Sequence, residues 1–219
     1  MARKLRKAKP LIYVFCEGES EQAYTDFLKK SFKNVAVIKR PSATGLFEEA
    51  RDRFNKDPKF RNSAEETDEV WFFFDVETKD TGKWDQRMKI IKTLRNLRRK
   101  QGTRVRLLMT TGCIEYWLML HFKMYAPPLQ SVADKERVIA ELKTREPMYS
   151  KGDYDSTARI AMNYPNAVVN AEKTVHNLLS EGLPGMEDTD ERNRWLHTNC
   201  KTFSTVYEAI NYLEALKDN

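Results

Sequence analysis

At residues 70–77 the sequence reads Val70-Trp71-Phe72-Phe73-Phe74-Asp75-Val76-Glu77. An unbroken run of large apolar residues is followed by two carboxylates, Asp75 and Glu77, spaced two positions apart. Such a run is typical of a strand covered on both faces, as in a parallel sheet with helices above and below it. The two acids would then lie at the carboxyl end of a buried strand, which is the edge where open α/β sheets bind their ligands.

A second apolar run, residues 11–16, ends in the same way and is followed directly by Glu17. If both strands are central in one parallel sheet, their ends lie roughly 5 to 10 Å apart. Clustered carboxylates repel one another unless a cation lies between them. Because no His or Cys pair accompanies these acids, the pattern favours Mg²⁺ or Mn²⁺ as the ion. The alternative is that each acid only marks the exit of a strand into solvent.

Between Gly112 and Phe122 the sequence contains a single charged residue, Glu115. A lone carboxylate in so apolar a segment is costly to bury unless it is paired, which suggests a further ligand or a general base. The alternative is a position in the first turn of a helix, where the helix dipole stabilises an acid. His121, on another face of that helix, is a second polar group near the site or a buried structural histidine.

The positive charge of the chain is unevenly distributed. The net charge is +6, but residues 83–106 contain ten Lys/Arg and one acid, which leaves −3 for the rest of the chain. A stripe of one sign predicts a polyanionic partner such as RNA or DNA, and the alternative is a solvated helix face. The candidate nucleic-acid-binding residues are Lys83, Arg87, Arg95, Arg98, Arg99 and Lys100.

The order of the predicted elements is β-α-β-α-β-α-β-α as far as residue 126, which indicates an α/β fold with a four-stranded, mostly parallel sheet flanked by helices. Residues 1–10 predict a flexible basic arm and residues 127–219 a helical extension packed on the α/β domain. Helices are expected at 132–142, 156–162, 167–179 and 203–216. Residues 57–67 and 181–190 are expected to be loops.

Composition excludes several classes of protein. With 41% hydrophobic and 32% charged residues the chain is globular rather than disordered. It contains no apolar stretch of the roughly 20 residues that would span a bilayer and no secretory h-region, so no membrane partner is expected. The three cysteines, far apart and odd in number, favour reduced thiols and a cytoplasmic location. The sequence has neither a phosphate-binding P-loop nor a Gly-x-Ser-x-Gly elbow.

Three segments together resemble the RloB-like family. They are Cys16-Glu-Gly-Glu19 after the first strand, Phe74-Asp-Val-Glu77 after the third, and the block Cys113-Ile-Glu-Tyr-Trp-Leu-Met-Leu-His-Phe122. The resemblance is strong over residues 13–122 and only in outline beyond them. It implies a relation to TOPRIM-fold proteins and an occurrence near bacterial restriction and abortive-infection genes.

The resemblance also implies roles for individual residues. In the TOPRIM fold a glutamate after the first strand and an Asp-x-Asp after a later strand hold divalent metal, which here corresponds to Glu17, Asp75 and Glu77. Glu77 departs from the usual aspartate and has a longer reach. The implied activity is a metal-dependent nuclease, acting on RNA, including tRNA, or on DNA in phage defence, with Glu115 as ligand or general base. The candidate auxiliary residues are Glu21, Arg40, His121 and Lys151.

Two other functions remain open on the sequence alone. One is a non-catalytic nucleic-acid-binding or sensing subunit that works with a partner ATPase, and Glu77 is its best support. The other is an enzyme acting on small phosphates, which needs a closed pocket. A separation of more than about 12 Å between Glu17 and Asp75 would exclude a shared ion, since each oxygen ligand lies roughly 2 Å from it.

Overall fold

The computed structural model describes residues 8–218 and contains a four-stranded sheet at its centre. The strands are β1 (Leu11–Cys16), β2 (Val37–Lys39), β3 (Thr67–Val76) and β4 (Arg104–Thr111). They are arranged in the order β2-β1-β3-β4, and every pair is parallel. The predicted α/β fold with a parallel sheet is therefore confirmed.

The two apolar runs form the central strands of this sheet. Every residue of β1 is buried, and the side chains of Val70–Phe74 in β3 have no measurable exposure. Because β1 and β3 are adjacent and parallel, with Cys16 in register with Phe73, their carboxyl ends lie side by side. The residues that follow the two strands consequently meet at one edge, which we call the carboxyl edge.

Helices cover the sheet, and those within the first part of the described chain are α1 (Glu19–Ser31), α2 (Phe47–Lys56), α3 (Pro58–Ser63), α4 (Trp84–Leu94) and α5 (Ile114–Leu120). Helix α5 is buried along its whole length, as its apolar sequence predicts. The C-terminal part contributes α6 (Val132–Arg145), α7 (Tyr154–Ala161), α8 (Tyr164–Asn177), α9 (Asp190–Asn199) and α10 (Tyr207–Ala215).

The C-terminal part is bonded to the outer strand of the sheet. Ser204 forms an antiparallel bridge with Thr110 of β4. The Thr205 hydroxyl donates to the carbonyl of Leu107 at 2.8 Å and accepts from the amide of Met109 at 2.9 Å. These bonds cover the edge of β4, which would otherwise present unpaired backbone groups.

The predicted loop at 57–67 is wrong, because this segment contains α3 and a 3₁₀ turn at 64–66, and Thr67 already belongs to β3. Asp57 caps α3 by accepting from the amide of Lys59, and Pro58 occupies the first turn. The sequence pattern also predicts no helix where α9 lies. Helix α4 ends at Leu94, although apolar residues continue at helical spacing to Leu97.

Most of the predicted basic arm lies outside the described residues. The division into an α/β domain at 11–126 and a helical extension at 127–219 stays a prediction. In the part of the chain that the structure describes, no helix combines the length and the hydrophobicity that crossing a membrane requires.

Candidate metal centre

Glu17 and Asp75 meet at the carboxyl edge. The amide of Glu17 donates to the carbonyl of Phe73 at 3.0 Å, continuing the β1–β3 ladder by one residue. The Glu17 carboxylate in turn accepts from the amide of Asp75 at 2.8 Å. The predicted proximity of these two acids is confirmed, since the Glu17 side chain contacts the backbone of Asp75.

Glu115 reaches the same place from the first turn of α5 and is 1% exposed. Its Oε1 accepts from the hydroxyl of Tyr149 at 2.9 Å and lies 3.4 Å from the ammonium of Lys151. Its Oε2 is buried and has no hydrogen-bond partner. Glu115 is therefore both buried and in the first turn of α5, and the C-terminal part of the chain supplies the groups that offset its charge.

Glu21 completes what we call the carboxylate cluster, namely Glu17, Glu21, Asp75 and Glu115. Its side chain turns back toward the loop before α1, and a Cβ on Gly18 would lie only 2.9 Å from Glu21 Oε2. Burial raises the pKa of Glu21 to about 7, and the charges of Glu17 and Glu115 add to the shift.

The cluster places like charges together, and two of its members, Glu21 and Glu115, are buried while Glu17 is exposed. Burial raises the pKa of Asp75 well above its usual range, and the neighbouring charges of Glu21, Glu17 and Glu115 raise it further. Asp75 Oδ1 is buried without a hydrogen-bond partner. Burial also raises the pKa of Glu17, against the hydrogen bond from Asp75 that lowers it. This electrostatic arrangement is unfavourable in the absence of a cation.

The cluster fits a hard divalent cation by donor type and by charge. Its donors are all carboxylate oxygens, and Asp75 Oδ1 and Glu115 Oε2 are orphaned buried atoms. Within residues 8–218, however, no group of three or more His, Cys, Asp or Glu side chains is arranged so that it could hold a metal ion. By the chemistry of their donors, the residues that would hold Mg²⁺ or Mn²⁺ are Glu17, Asp75 and Glu115.

Glu77, the third predicted ligand, is engaged elsewhere. Its carboxylate forms ion pairs with Lys79 and with Lys135 of α6. Burial raises its pKa, but the hydrogen bonds from the two ammonium groups outweigh this effect and leave the pKa below its usual range. Lys135 also lies close enough to Asp75 to oppose the rise of its pKa. Lys135 thus links Glu77 to the cluster.

A cleft of about 450 Å³ opens beside Glu17 and is lined in part by Phe47, Lys79, Lys83 and Arg87. Arg87 is buried, and its guanidinium lies over the rings of Phe47 and Phe74. It contacts Nε2 of His197 at 2.6 Å. Two of the six candidate nucleic-acid-binding residues therefore adjoin the cluster.

The other four candidates lie at the opposite edge of the sheet. Arg98 pairs with Asp68 near the start of β3, and Arg99 lies 3.8 Å from Glu65. Asp68 and Asp75 are separated by seven residues of strand, which corresponds to roughly 23 Å. Arg95 is bonded to Asp190 at 2.6 Å, and Lys100 is exposed nearby. These residues do not adjoin the carboxylate cluster.

Two auxiliary candidates occupy structural positions. His121 is fully buried, and its ring contacts the hydroxyl of Tyr24 at 3.2 Å and the carbonyl of Trp117 at 3.1 Å. Burial lowers the pKa of His121 to about 4, so the ring is neutral, with Nδ1–H donating to Trp117. Arg40 forms a bidentate pair with Asp26, at 2.5 and 2.9 Å.

Sequence reasoning missed two groups at the site, the hydroxyl of Tyr149 as the partner of Glu115 and the ammonium of Lys135. Tyr149 lies in a polar stretch of sequence, yet it is only 3% exposed. The loop is held against α1 by a bond from the amide of Gly152 to the hydroxyl of Ser20, at 3.0 Å. No local pattern predicts a contact across 34 positions.

Comparison with known proteins gives one match. No curated protein and no solved structure matches the chain significantly. The sequence profile of the RloB-like proteins matches residues 12–213, which include, of the elements in the described chain, three of the four strands and nine of the ten α-helices in full, and most of β1 and α10. The chain therefore belongs to the RloB-like protein family.

Proposed function

We propose that this protein is a cytoplasmic, Mg²⁺- or Mn²⁺-dependent nuclease that hydrolyses phosphodiester bonds of RNA or DNA in bacterial defence against phage. The observation that carries the proposal is the pair of orphaned, buried carboxylate oxygens, Asp75 Oδ1 and Glu115 Oε2, beside Glu17 at the carboxyl edge. The resemblance to TOPRIM-related proteins supports the same chemistry.

A divalent ion, when bound, supplies charge neutralisation for the phosphate and activation of the attacking water. Glu17 and Asp75 would hold it. Tyr149 fixes Glu115 by donating to Oε1, which leaves Oε2 free to accept a proton. Lys151, on the opposite side of Oε1, is 62% exposed and is positioned to contact a phosphate oxygen.

The cleft beside Glu17 supports a polymeric substrate. Lys79 and Lys83 are exposed at its wall, and phosphates flanking the scissile bond would lie against them. In this arrangement the acids act on one phosphate while neighbouring lysines hold the next.

The test is cleavage of labelled tRNA, single-stranded DNA and duplex DNA with and without Mn²⁺. Asp75→Asn and Glu115→Gln should each reduce the rate by at least about 100-fold, because each removes a group that acts directly at the phosphate. The matched control is Asp85→Asn, an exposed acid on α4, which should cleave normally. Cleavage that persists in Asp75→Asn, or without any divalent ion, would contradict the proposal.

A second function has one observation in its favour. Glu77, which would complete the acid-x-acid pair, is bound by Lys79 and Lys135. A non-catalytic nucleic-acid-binding or sensing subunit, working with a partner ATPase, would tolerate this arrangement. Retarded mobility of the nucleic acid without cleavage, under every metal condition, would favour this alternative.

A further inference from the structure

Some Lys and Arg side chains of the described residues form ion pairs with acids, and others do not. In residues 83–106, seven of the ten Lys/Arg side chains are paired with acids, as with Arg104–Asp188 and Arg106–Glu69. Only Lys89, Lys92 and Lys100 in that segment have no described acidic partner. The basic stripe of the sequence is therefore largely neutralised in the folded protein.

Unneutralised positive charge is concentrated on another face, around the end of α1 and the start of β2. Lys29, Lys30 and Lys33 are exposed and form no ion pair with any described residue. They line a groove of about 660 Å³, and Asp26 is the acid beside them. Asp26 is already neutralised by Arg40, through bonds of 2.5 and 2.9 Å.

The floor of this lysine groove is apolar. It consists of Ala36, Val37, Ile38 and Tyr154, and Val37 is 40% exposed. The ammonium of Lys30 lies 5.6 Å from the centre of the Tyr154 ring. Lysines above an apolar, partly aromatic floor match a single-stranded nucleic acid. Its phosphates pair with the ammonium groups, and its unpaired bases stack on the flat apolar surface. In a duplex the bases are already paired and stacked, so they would not contact such a floor.

Lys9 adds charge to the same place. Its ammonium donates to the backbone carbonyl of Lys33 at 2.8 Å. Lys9, Lys29, Lys30 and Lys33 therefore place four positive charges around the groove. A local excess of one sign of charge attracts a polyanion to this face.

Helix α1 connects the lysine groove to the carboxylate cluster. Glu21 stands in its first turn and Lys30 in its last, so the two are separated by about 14 Å along the helix axis. That distance corresponds to roughly four stacked nucleotides at 3.4 Å each. The lysine groove and the cluster therefore lie about four nucleotides apart along the axis of α1.

We propose that the lysine groove, Lys29, Lys30 and Lys33 above the floor formed by Ala36–Ile38 and Tyr154, binds the backbone of a single-stranded nucleic acid about four nucleotides from the carboxylate cluster along the axis of α1. Cleavage of the bound strand at the cluster rests on the proposed nuclease function. The binding itself requires no catalysis.

The test compares two triple variants that each remove three exposed, unpaired lysines. The groove variant is Lys29→Ala, Lys30→Ala, Lys33→Ala, and the matched control is Lys89→Ala, Lys92→Ala, Lys173→Ala, whose lysines are exposed and lie outside the groove. Fluorescence anisotropy with a labelled 20-nucleotide single strand is measured in EDTA at several salt concentrations. The groove variant should lower the salt slope by about 2 and the affinity at 0.1 M salt on the order of 100-fold. The control should bind like the wild type.

Several results would overturn the proposal: equal losses in both variants, a loss confined to the control, no binding of the single strand by the wild type, or tighter wild-type binding of a duplex or of anionic vesicles. A second assay separates this proposal from the nuclease proposal. Hydrolysis of bis(p-nitrophenyl) phosphate with Mn²⁺ needs the cluster but not the groove. The groove variant should hydrolyse it normally, and Asp75→Asn should not. If both variants hydrolyse the compound normally, the nuclease proposal is contradicted. The binding result for the groove is then judged by itself.

Discussion

The pKa of Glu21 shows how strongly the carboxylate cluster affects a single residue. It lies in the first turn of α1, where the helix dipole favours an acid, and yet its pKa is raised to about 7 by burial and by Glu17 and Glu115. A carboxyl whose pKa is raised in the folded state stabilises the protein only while it remains protonated. The free protein therefore carries a cost at neutral pH that an ion would remove.

We expect the metal-free protein to lose stability as the pH rises from about 4.5 through 7, because the folded state must give up the Glu21 proton that it holds more tightly than the unfolded chain does. The change attributable to Glu21 is at most about 3 kcal/mol. In EDTA, Glu21→Gln should melt higher than the wild type at pH 8 and at nearly the same temperature at pH 5.

The control for this experiment is Glu136→Gln, an exposed glutamate on α6 without an ion pair to any described residue. It should shift the melting temperature equally little at both values of pH. A Glu21→Gln variant that is less stable than the wild type at pH 8 would contradict the assignment.

At the scale of elements, the strands were predictable and some helices were not. The buried strands are recognisable in the sequence because both of their faces are covered, so that their residues are apolar throughout. Helix α9 buries Arg192, Asn193 and His197, which are polar, and so its inner stripe resembles an exposed one. Its cap, in which Thr189 accepts from the amide of Arg192, was the available signal. For α3, the corresponding signal was Asp57-Pro58.

The segment before α10 yields a prediction at this scale. Thr205 is fully buried, and its hydroxyl both donates to Leu107 and accepts from Met109 of β4. Thr205→Val keeps the shape but leaves a buried carbonyl and a buried amide short of a partner, which should destabilise the protein by about 2 to 4 kcal/mol. Thermal unfolding should show a decrease of roughly 5 to 10 °C.

Thr205→Ser is the matched variant, since it retains the hydroxyl and loses only a methyl group. It should unfold within a few degrees of the wild type. If the two variants were equally destabilised, packing of the methyl group rather than hydrogen bonding would hold the segment to β4.

At the scale of the whole molecule, the carboxylate cluster depends on parts that are distant in the chain. The meeting of Glu17 and Asp75 was predictable, because it follows from the parallel order of β1 and β3. The contact of Tyr149 and Lys151 with Glu115 was not, because the path of that loop is decided by its packing against α1. The place of the basic side chains was not predictable either, since their acidic partners come from α9 and from the start of β3.

We expect Mn²⁺ to stabilise the whole protein through the cluster. At a concentration 100 times the dissociation constant, binding to the folded state alone contributes about 2.7 kcal/mol, or roughly 5 to 10 °C in melting temperature for a chain of this size. Asp75→Asn should abolish this shift while folding normally in EDTA. An unchanged melting temperature of the wild type in excess Mn²⁺ would argue against a metal at this edge.

The contact of the 149–151 segment with Glu115 bears on when the carboxylate cluster can be completed during synthesis. A nascent chain that has emerged only as far as residue 126 already contains all four acids but lacks the tyrosine and the lysine that support the last of them. The chain must therefore emerge at least as far as residue 151 before Glu115 has both partners. The proposed hydrolytic activity would in this way be withheld from unfinished chains.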